Sequence, residues 1–541
     1  MNKIAQYLNE HILGEVSSVK SLRRRFSQDQ GPLAITPEIV IFPKVTNDIR
    51  KVARFTWQLA EKGHVVGITV RGGGSDKTGA AIGKGIVINT TRHLDSIINL
   101  GIKERAIHLQ AGVSVRNAAE VLRWNGLGMS NLPTFTDVST IGGMLANNRL
   151  GERGTIAGMV EKLEVILANG DLIETGRISK RELSKKRGLE TFEGEIYRKI
   201  GGIIEDNEKL IAELDGDNSL DRTGYATITR VREKDGSFDL TPLFLGSQGT
   251  LGIISETVLK TDFNSKYQTV LVGIVPTKEV ARDTLDAIKK LDPAVLEMID
   301  GELFQQAQES GKNYTVLGDQ LDVVGSGSLI YVGFNDFNER AQGHKAKKLE
   351  KLFQKQNIVS FSSEKHSFDD LRSLRDVTSV VSLSLTDSES MPPIVDGASV
   401  PEARREEFFG ALAELATKLH VKLPTKINGV TDLINVYPVL HLGEVSDKQK
   451  LFRLINEYSV LVTKCDGRFI ADAGEGRLKS NAAWAHLDEE TTNLYQQIRE
   501  TFDPFGTLNP GVKQKNDIKH LIESLRGSYD IADIIDRGIS R

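Results

Sequence analysis

The run Arg71-Gly72-Gly73-Gly74-Ser75-Asp76-Lys77-Thr78-Gly79 puts unhindered backbone N–H groups and small hydroxyls into a single loop. Amides gathered in such a turn form a nest for an anion, and a pyrophosphate needs just such groups around it. A dinucleotide fingerprint of the helix-start kind would place a helix directly after the glycines, and a Walker loop would end in Gly-Lys followed by Ser or Thr. Neither is present, and residues 85–89 form an apolar, β-rich run, so the spacing predicts a strand, loop, strand cradle. Taken alone, three glycines in a row equally suit a flexible turn. A second small-residue site, Asp137-Val138-Ser139-Thr140-Ile141-Gly142-Gly143, offers hydroxyls and amides ahead of a predicted helix, an end whose partial positive charge favours phosphate. Two cradles suit a dinucleotide. A third segment, 246–254, joins small turn residues around Gln248 to an apolar run ending at Ile254 and by itself reads as an ordinary strand entry.

The elements that would hold these loops are visible in the pattern around them. An apolar run at 39–42 between Pro37 and Pro43 predicts an entering strand. Ile49, Val52, Ala53, Leu59 and Ala60 recur at helical spacing over 46–62, with Thr46 or Asn47 as N-cap and Gly63 as the stop. A strand is expected over 64–70 and a capped helix over 114–124. Two β-rich runs over 163–175 flank Asn169-Gly170, a dipeptide suited to a tight hairpin turn. The charged stretch 179–218 reads as an inserted, helical or mobile surface segment carrying no function. Beyond residue 262, apolar strands such as 269–275 and 328–333 alternate with amphipathic helices such as 403–419, predicting a second, α+β unit.

Composition narrows the function classes. A chain of 541 residues needs more than one core. With 69 basic against 73 acidic residues it carries no overall field for nucleic acid, and the local Arg23-Arg24-Arg25 run reads as solvated surface. The one cysteine, Cys465, excludes an intramolecular disulfide and fits a reducing compartment, so a cytoplasmic protein is expected. No apolar stretch is long enough for an integral membrane segment, which leaves room only for peripheral attachment.

Taken in order, "PEIVIFP", "RGGGSDKTGA", "LQAGVSV", "STIGGMLANN", "LEVILANGDLIETG", "FLGSQGTLGIISE" and "DPFGTLNPG" resemble the FAD-binding (PCMH-type) domain of the vanillyl-alcohol oxidase family, in particular its glycolate and D-lactate dehydrogenase branch. The resemblance spans most of the chain. It implies an α+β fold: a two-part FAD-binding domain at 35–262 with the insert at 179–218, and an α/β cap domain on an antiparallel sheet at 263–468. A segment at 469–515 would return to the flavin, with an N-terminal helical segment at 1–34 and a tail at 516–541. It further implies that Arg71 to Ser75 wrap the pyrophosphate with Asp76, Thr78 and Gly79 completing the loop, and that Asp137, Ser139, Thr140, Gly142 and Gly143 lie beside it. Asn147 to Leu150 would pass near the flavin, Gln248 and Ile254 near the adenosine end or the ring edge, and Asn509 near the ring. Covalent members carry a histidine where this chain has Ser75, which implies non-covalent FAD.

On the substrate side, Arg375 falls on an arginine that clamps a substrate carboxylate in that branch, a task suited to its planar fork; a surface arginine in an ordinary ion pair is the equal alternative. The branch also binds a divalent metal with two histidines and a Glu-His pair. Here the histidine positions fall on Asn428 and Asn435 and the pair on Asp472 and Ala473, so no metal is expected. His441 is the histidine nearest in sequence to that loop, as a base or a structural residue, and Tyr225 and Glu475 are further candidates. The expected activity is an FAD-dependent dehydrogenase of a small, carboxylate-bearing hydroxy compound, with an unidentified electron acceptor. A flavin-dependent transferase of the alkylglycerone-phosphate synthase type and a non-catalytic flavin-binding module are the competing readings.

Overall fold

Strand Ile39–Phe42 and strand Ile86–Asn89 are buried at every position, as continuous apolar runs are when both faces of a strand are covered. They lie side by side and parallel, strand Ile68–Arg71 adds parallel to the second, and strand Glu15–Ser17 closes the other edge antiparallel. The helix Thr46–Glu61 covers this sheet with Ile49, Val52 and Ala53. Its first turn departs from the expected cap: Val45 is the N-cap residue, and the Asp48 carboxylate satisfies the end by accepting from Lys44 N and Leu13 N, both at 2.9 Å. The computed structural model describes residues 3–129, 131, 138–151, 154–217, 221–265, 268–309, 311–336, 338–378, 381 and 390–526.

A second, antiparallel sheet runs in the order Ile97–Gly101, Ala106–Gln110, Ile253–Lys260, Val160–Ile166, Leu172–Thr175. Its last hairpin turns at Asn169-Gly170, where Gly170 alone has a positive φ, +83°, and Asn169 Oδ1 accepts from Asp171 N. Helix Val115–Trp124 is capped by Ser114, whose hydroxyl accepts from Asn117 N. The charged stretch is helical, as expected, in three helices, Lys180–Arg187, Phe192–Asp206 and Glu208–Asp217, but it is not mere surface: the middle one buries Ile196, Tyr197 and Ile200 in the main core. Its charge lies on the outer faces, and the apolar spacing between the charges does the packing.

The third sheet is the antiparallel cap anticipated by the resemblance. Its order is Val359–Ser362, Thr269–Val275, Ser328–Phe334, Val295–Asp300, Thr425–Asn428, Leu433–Val436, Val395–Ser399. Strand Val395–Ser399 carries a register shift between Val395 and Ala398, and Gly397 there has φ +80°. That irregularity turns Asp396 and Gly397 toward the two loops of the N-terminal half. No described helix is long and apolar enough to cross a membrane.

Candidate FAD and substrate cleft

Strand Ile68–Arg71 ends in the glycine loop, and strand Ile86–Asn89, not a helix, is the next element. The two small-residue loops meet. Ser75 Oγ lies 3.2 Å from Ser139 Oγ, and a Cβ on Gly72 or Gly73 would be driven into the Thr140 side chain or the Val138 carbonyl oxygen. Asp76 fixes the curve by accepting from Thr78 N at 2.9 Å and Ala80 N at 2.8 Å. Among the described residues the backbone N–H groups of Gly73, Gly74 and Ser75 have no protein acceptor, which is the donor set of an anion nest. Opposite them Thr140 caps helix Ile141–Asn147 by accepting from Gly143 N at 3.2 Å.

Gly72 through Asp76, Thr78, Ser139, Thr140, Gly142 and Gly143 all line one cleft, joined by Asn147, Gln248 and Ile254 from the expected set. The space between its walls, open solvent at the mouth included, is about 1270 Å³. Gln248 has φ +53° and ties the wall together: Nε2 donates to Asn147 Oδ1 at 2.8 Å, and Oε1 accepts from Gly476 N at 2.9 Å. Asp137 lies outside the described residues.

Three expected cofactor residues stand behind the wall. Arg71 packs its guanidinium against Gly74 from behind the loop, donating to Gln28 O at 2.7 Å and stacking on Phe26, because its strand position points the side chain toward the N-terminal segment. Gly79 supplies a carbonyl to Arg477. Asn509 splices four pieces of chain: Nδ2 donates to Ala80 O at 2.8 Å and Gln248 O at 2.7 Å, while Oδ1 accepts from Thr69 Oγ1 and Arg477.

The expected catalytic residues fare less well. Arg375 does clamp a carboxylate with both forks, but it is that of Glu297, at 3.0 and 2.9 Å, with Lys426 as a second cation at 3.1 Å. Burial alone would raise the Glu297 carboxyl; Arg375 and Lys426 outweigh it and hold it at about 2. Asn428 Oδ1 caps a turn by accepting from Val430 N and Thr431 N, and His441 is half-buried away from the cleft, its backbone N–H bonded to Asp447. Asn435 accepts from Gly397 N at 2.8 Å and so shapes the wall without lining it. Tyr225 bonds Thr250, and Glu475 pairs with Lys513, both behind the wall. Asp472 does line the cleft.

Around Asp472 stand charges that no local pattern marks. Arg149 pairs with Asp472 at 3.0 Å; Lys479 bonds both the carboxylate and the carbonyl of Asp396, at 2.5 and 2.7 Å; and Lys77 lies 3.5 Å from the other Asp396 oxygen. All five line the cleft. Burial works to raise the Asp396 carboxyl, but Lys479, Lys77 and Arg149 outweigh it and hold it far below the usual carboxylate range. Burial lowers the pKa of Lys77, only partly opposed by Asp396. Asp472 was a candidate in the sequence and Arg149 fell in the segment expected near the flavin; Lys77 stood unremarked in the glycine loop, and nothing local marks Asp396 or Lys479.

Behind the glycine loop Asp29 is fully buried, and burial, then the neighbouring Asp76, lifts its pKa from 3.8 to about 7 against the pull of Arg526, the Gly31 N–H and Arg71. A carboxyl whose pKa is higher folded than unfolded contributes stability below its unfolded pKa and loses it as pH climbs through the folded value. Asp29→Asn, which keeps the Oδ1 acceptor used by Gly31 N, should therefore raise the melting temperature at pH 8 and give no gain at pH 4. Thermal melts at the two pH values check this; an equal shift at both would remove Asp29 ionisation as the cause.

Residues 37–176 match the family model described as an FAD binding domain, and residues 264–512 match that of the C-terminal domain of FAD linked oxidases. The chain is 23% identical over 553 residues to a D-2-hydroxyglutarate dehydrogenase of Haemophilus influenzae, covering 96% of this chain and 53% of that protein. It is 22% identical over 488 residues to the glycolate oxidase subunit GlcD of Bacillus subtilis, covering 88% of each. The chain thus spans about half the length of the D-2-hydroxyglutarate dehydrogenases that it matches. In fold it is similar to p-cresol methylhydroxylase with substrate bound, at a TM-score of 0.68 and 11% identity, covering 95% of this chain and 98% of that one.

Proposed function

The chain belongs to the FAD-linked oxidoreductases, and from that premise we propose that it holds FAD without a covalent link and oxidises a small anionic hydroxy compound, passing the electrons to a separate acceptor. The observation that carries this reading is the cleft itself. One wall is a nest of backbone N–H groups suited to a diphosphate, and beyond it the cleft is lined by the cations Lys77, Arg149 and Lys479 together with the carboxylates Asp396 and Asp472. When bound, FAD supplies a hydride acceptor, so the protein has to position the donor, neutralise its charge and exclude water. Ser75 offers a hydroxyl where covalent relatives by resemblance carry a histidine. The names of the relatives, dehydrogenases or oxidases of D-2-hydroxyglutarate and glycolate, favour a 2-hydroxy acid as the donor. The single, buried Cys465 fits a reducing compartment, in keeping with a cytoplasmic protein.

Anaerobic spectroscopy tests the proposal. The purified protein should be yellow, acid precipitation should leave the colour in the supernatant, and one or more 2-hydroxy acids from a panel with sugars and alcohols should bleach the flavin band. Flavin that stays oxidised with every donor while still bound would turn the assignment toward a transferase or a non-catalytic binding module.

A further inference from the structure

The amides of Gly73, Gly74 and Ser75 converge only while their loop keeps its curve, and a turn far earlier in the chain, residues 28–31, grips that loop at both ends. On the near side the Gln28 carbonyl accepts from Arg71 Nη1 at 2.7 Å, and on the far side Gln30 N donates to the Asp76 carbonyl at 2.8 Å. Between the two there is no slack: a Cβ on Gly31 would be driven into the Lys77 carbonyl oxygen. The turn is held in place by the C-terminal segment. After helix Ile518–Glu523, Leu525 pairs antiparallel with Leu33, Ala34 N donates to Ser524 O at 2.7 Å, and Arg526 N donates to Pro32 O at 3.0 Å. Leu521 and Leu525 join Leu33 in the main core, so the segment has an apolar anchor apart from its last side chain. That side chain, Arg526, is only 4% exposed and reaches into the turn. Its Nη2 donates to the Asp29 carbonyl at 2.5 Å and to the Gly31 carbonyl, and Nη1 donates to Gln28 Oε1 at 3.2 Å. A rigid guanidinium fork holds several acceptors at once, which the single nitrogen of an ammonium cannot do in the same geometry.

We propose that Arg526 is a positioning residue for FAD: by locking the turn 28–31 against both ends of the glycine loop, it keeps the three amides convergent and so sets how tightly the diphosphate is held. This rests on the reading of that loop as the FAD diphosphate site. Arg526 is not among the residues that line the cleft; it acts through Gln28 and Arg71 on one side of the nest and through Gln30 and Asp76 on the other. A loop that is already curved loses less freedom when its ligand arrives, and the affinity gained in this way needs no contact with the ligand.

The test titrates full-length apoprotein with FAD and follows amide hydrogen exchange over residues 72–80. Arg526→Ala should weaken FAD about 10-fold or more, the scale of one hydrogen bond to a charged group. In the apoprotein it should speed exchange over 72–80 and leave the cap strand Thr269–Val275 unchanged. Ethylguanidinium, which replaces the missing part of the side chain, should restore most of the affinity to Arg526→Ala and do nothing to the wild type. Phe353→Leu is the control for a general loss of stability. It trims a buried side chain packed beside Gly273 in the cap, and it should lower the melting temperature with FAD affinity unchanged. Should Arg526→Ala be insoluble, Arg526→Lys gives the reading instead: the charge stays, the fork is lost, and FAD should still bind several-fold more weakly. The proposal is overturned if the Arg526 variant binds FAD like wild type, if its exchange over 72–80 is unchanged, if ethylguanidinium does not rescue Arg526→Ala, or if Phe353→Leu loses FAD equally. A wild-type protein that takes up no FAD, with exchange over 72–80 still faster in the Arg526 variant, would count against the FAD reading of the loop alone.

Discussion

A Gly73→Val protein will purify without flavin. The loop after strand Ile68–Arg71 passes so close to the second loop that a Cβ on Gly73 would be driven into the Val138 carbonyl oxygen, backbone that has no rotamer to yield. Either the chain keeps its fold and the loops part, or strain is carried into the sheet; in both cases the N–H groups of Gly73, Gly74 and Ser75 no longer converge. Overpacking of this kind costs roughly 3 kcal/mol, and charged to the bound state it lowers FAD affinity about 100-fold. The ratio of visible to ultraviolet absorbance after purification, and a titration of the apoprotein with FAD, measure it. Gly158→Ala, where an added Cβ meets nothing within 4 Å, is the matched control and should stay yellow. Full flavin content in the Gly73 variant would mean that the diphosphate is held elsewhere.

Glu475→Ala will be the most destabilising single substitution among the charged residues. Glu475 and Lys513 pair at 2.6 Å with both side chains at 0% exposure, and the Glu475 carboxylate also accepts from Trp484 Nε1 and Gly224 N at 2.9 Å each. Removing the acid leaves an ammonium in the core with the Arg222 carbonyl at 3.0 Å and the face of Tyr225 in place of its counter-ion. Breaking one side of a buried pair costs about 3–5 kcal/mol, against at most about 1 kcal/mol for an exposed pair such as Arg177 with Asp235. Denaturant titration should show the loss, and Glu475→Gln with Lys513→Met together should cost less than the sum of the two singles. A drop below about 1 kcal/mol for Glu475→Ala would show that water reaches the pair.

What could be read in the chain beforehand was what is local. Three glycines, a Thr-capped turn and an Asn-Gly hairpin state their backbone geometry within a few residues, and the structure places the first two against each other as the repeated small residues required. The apolar run at Ile86–Asn89 sufficed to reject a helix after the loop. The catalytic side was opaque for a physical reason: charge pairs across the fold leave no periodicity. Lys77 meets Asp396 from 319 positions away, and nothing near Arg375 in sequence announces Glu297, 78 positions earlier on the neighbouring sheet. Arg71 was misplaced by a finer effect, since adjacent side chains on a strand point to opposite faces, and residue type alone does not reveal which face the loop exposes. The segment 179–218 misled through composition: its many charges masked an apolar stripe on helix Phe192–Asp206.

Asn509 also sets a timetable. Its amide joins the carbonyls beneath the glycine turn and the Gln248 bend to strand residue Thr69, so during synthesis the anion nest has no floor until residue 509 has left the ribosome. Flavin capture must in consequence await residue 509, and the nascent glycine loop, made more than 400 residues earlier, waits in an open, cofactor-free form for that segment to arrive.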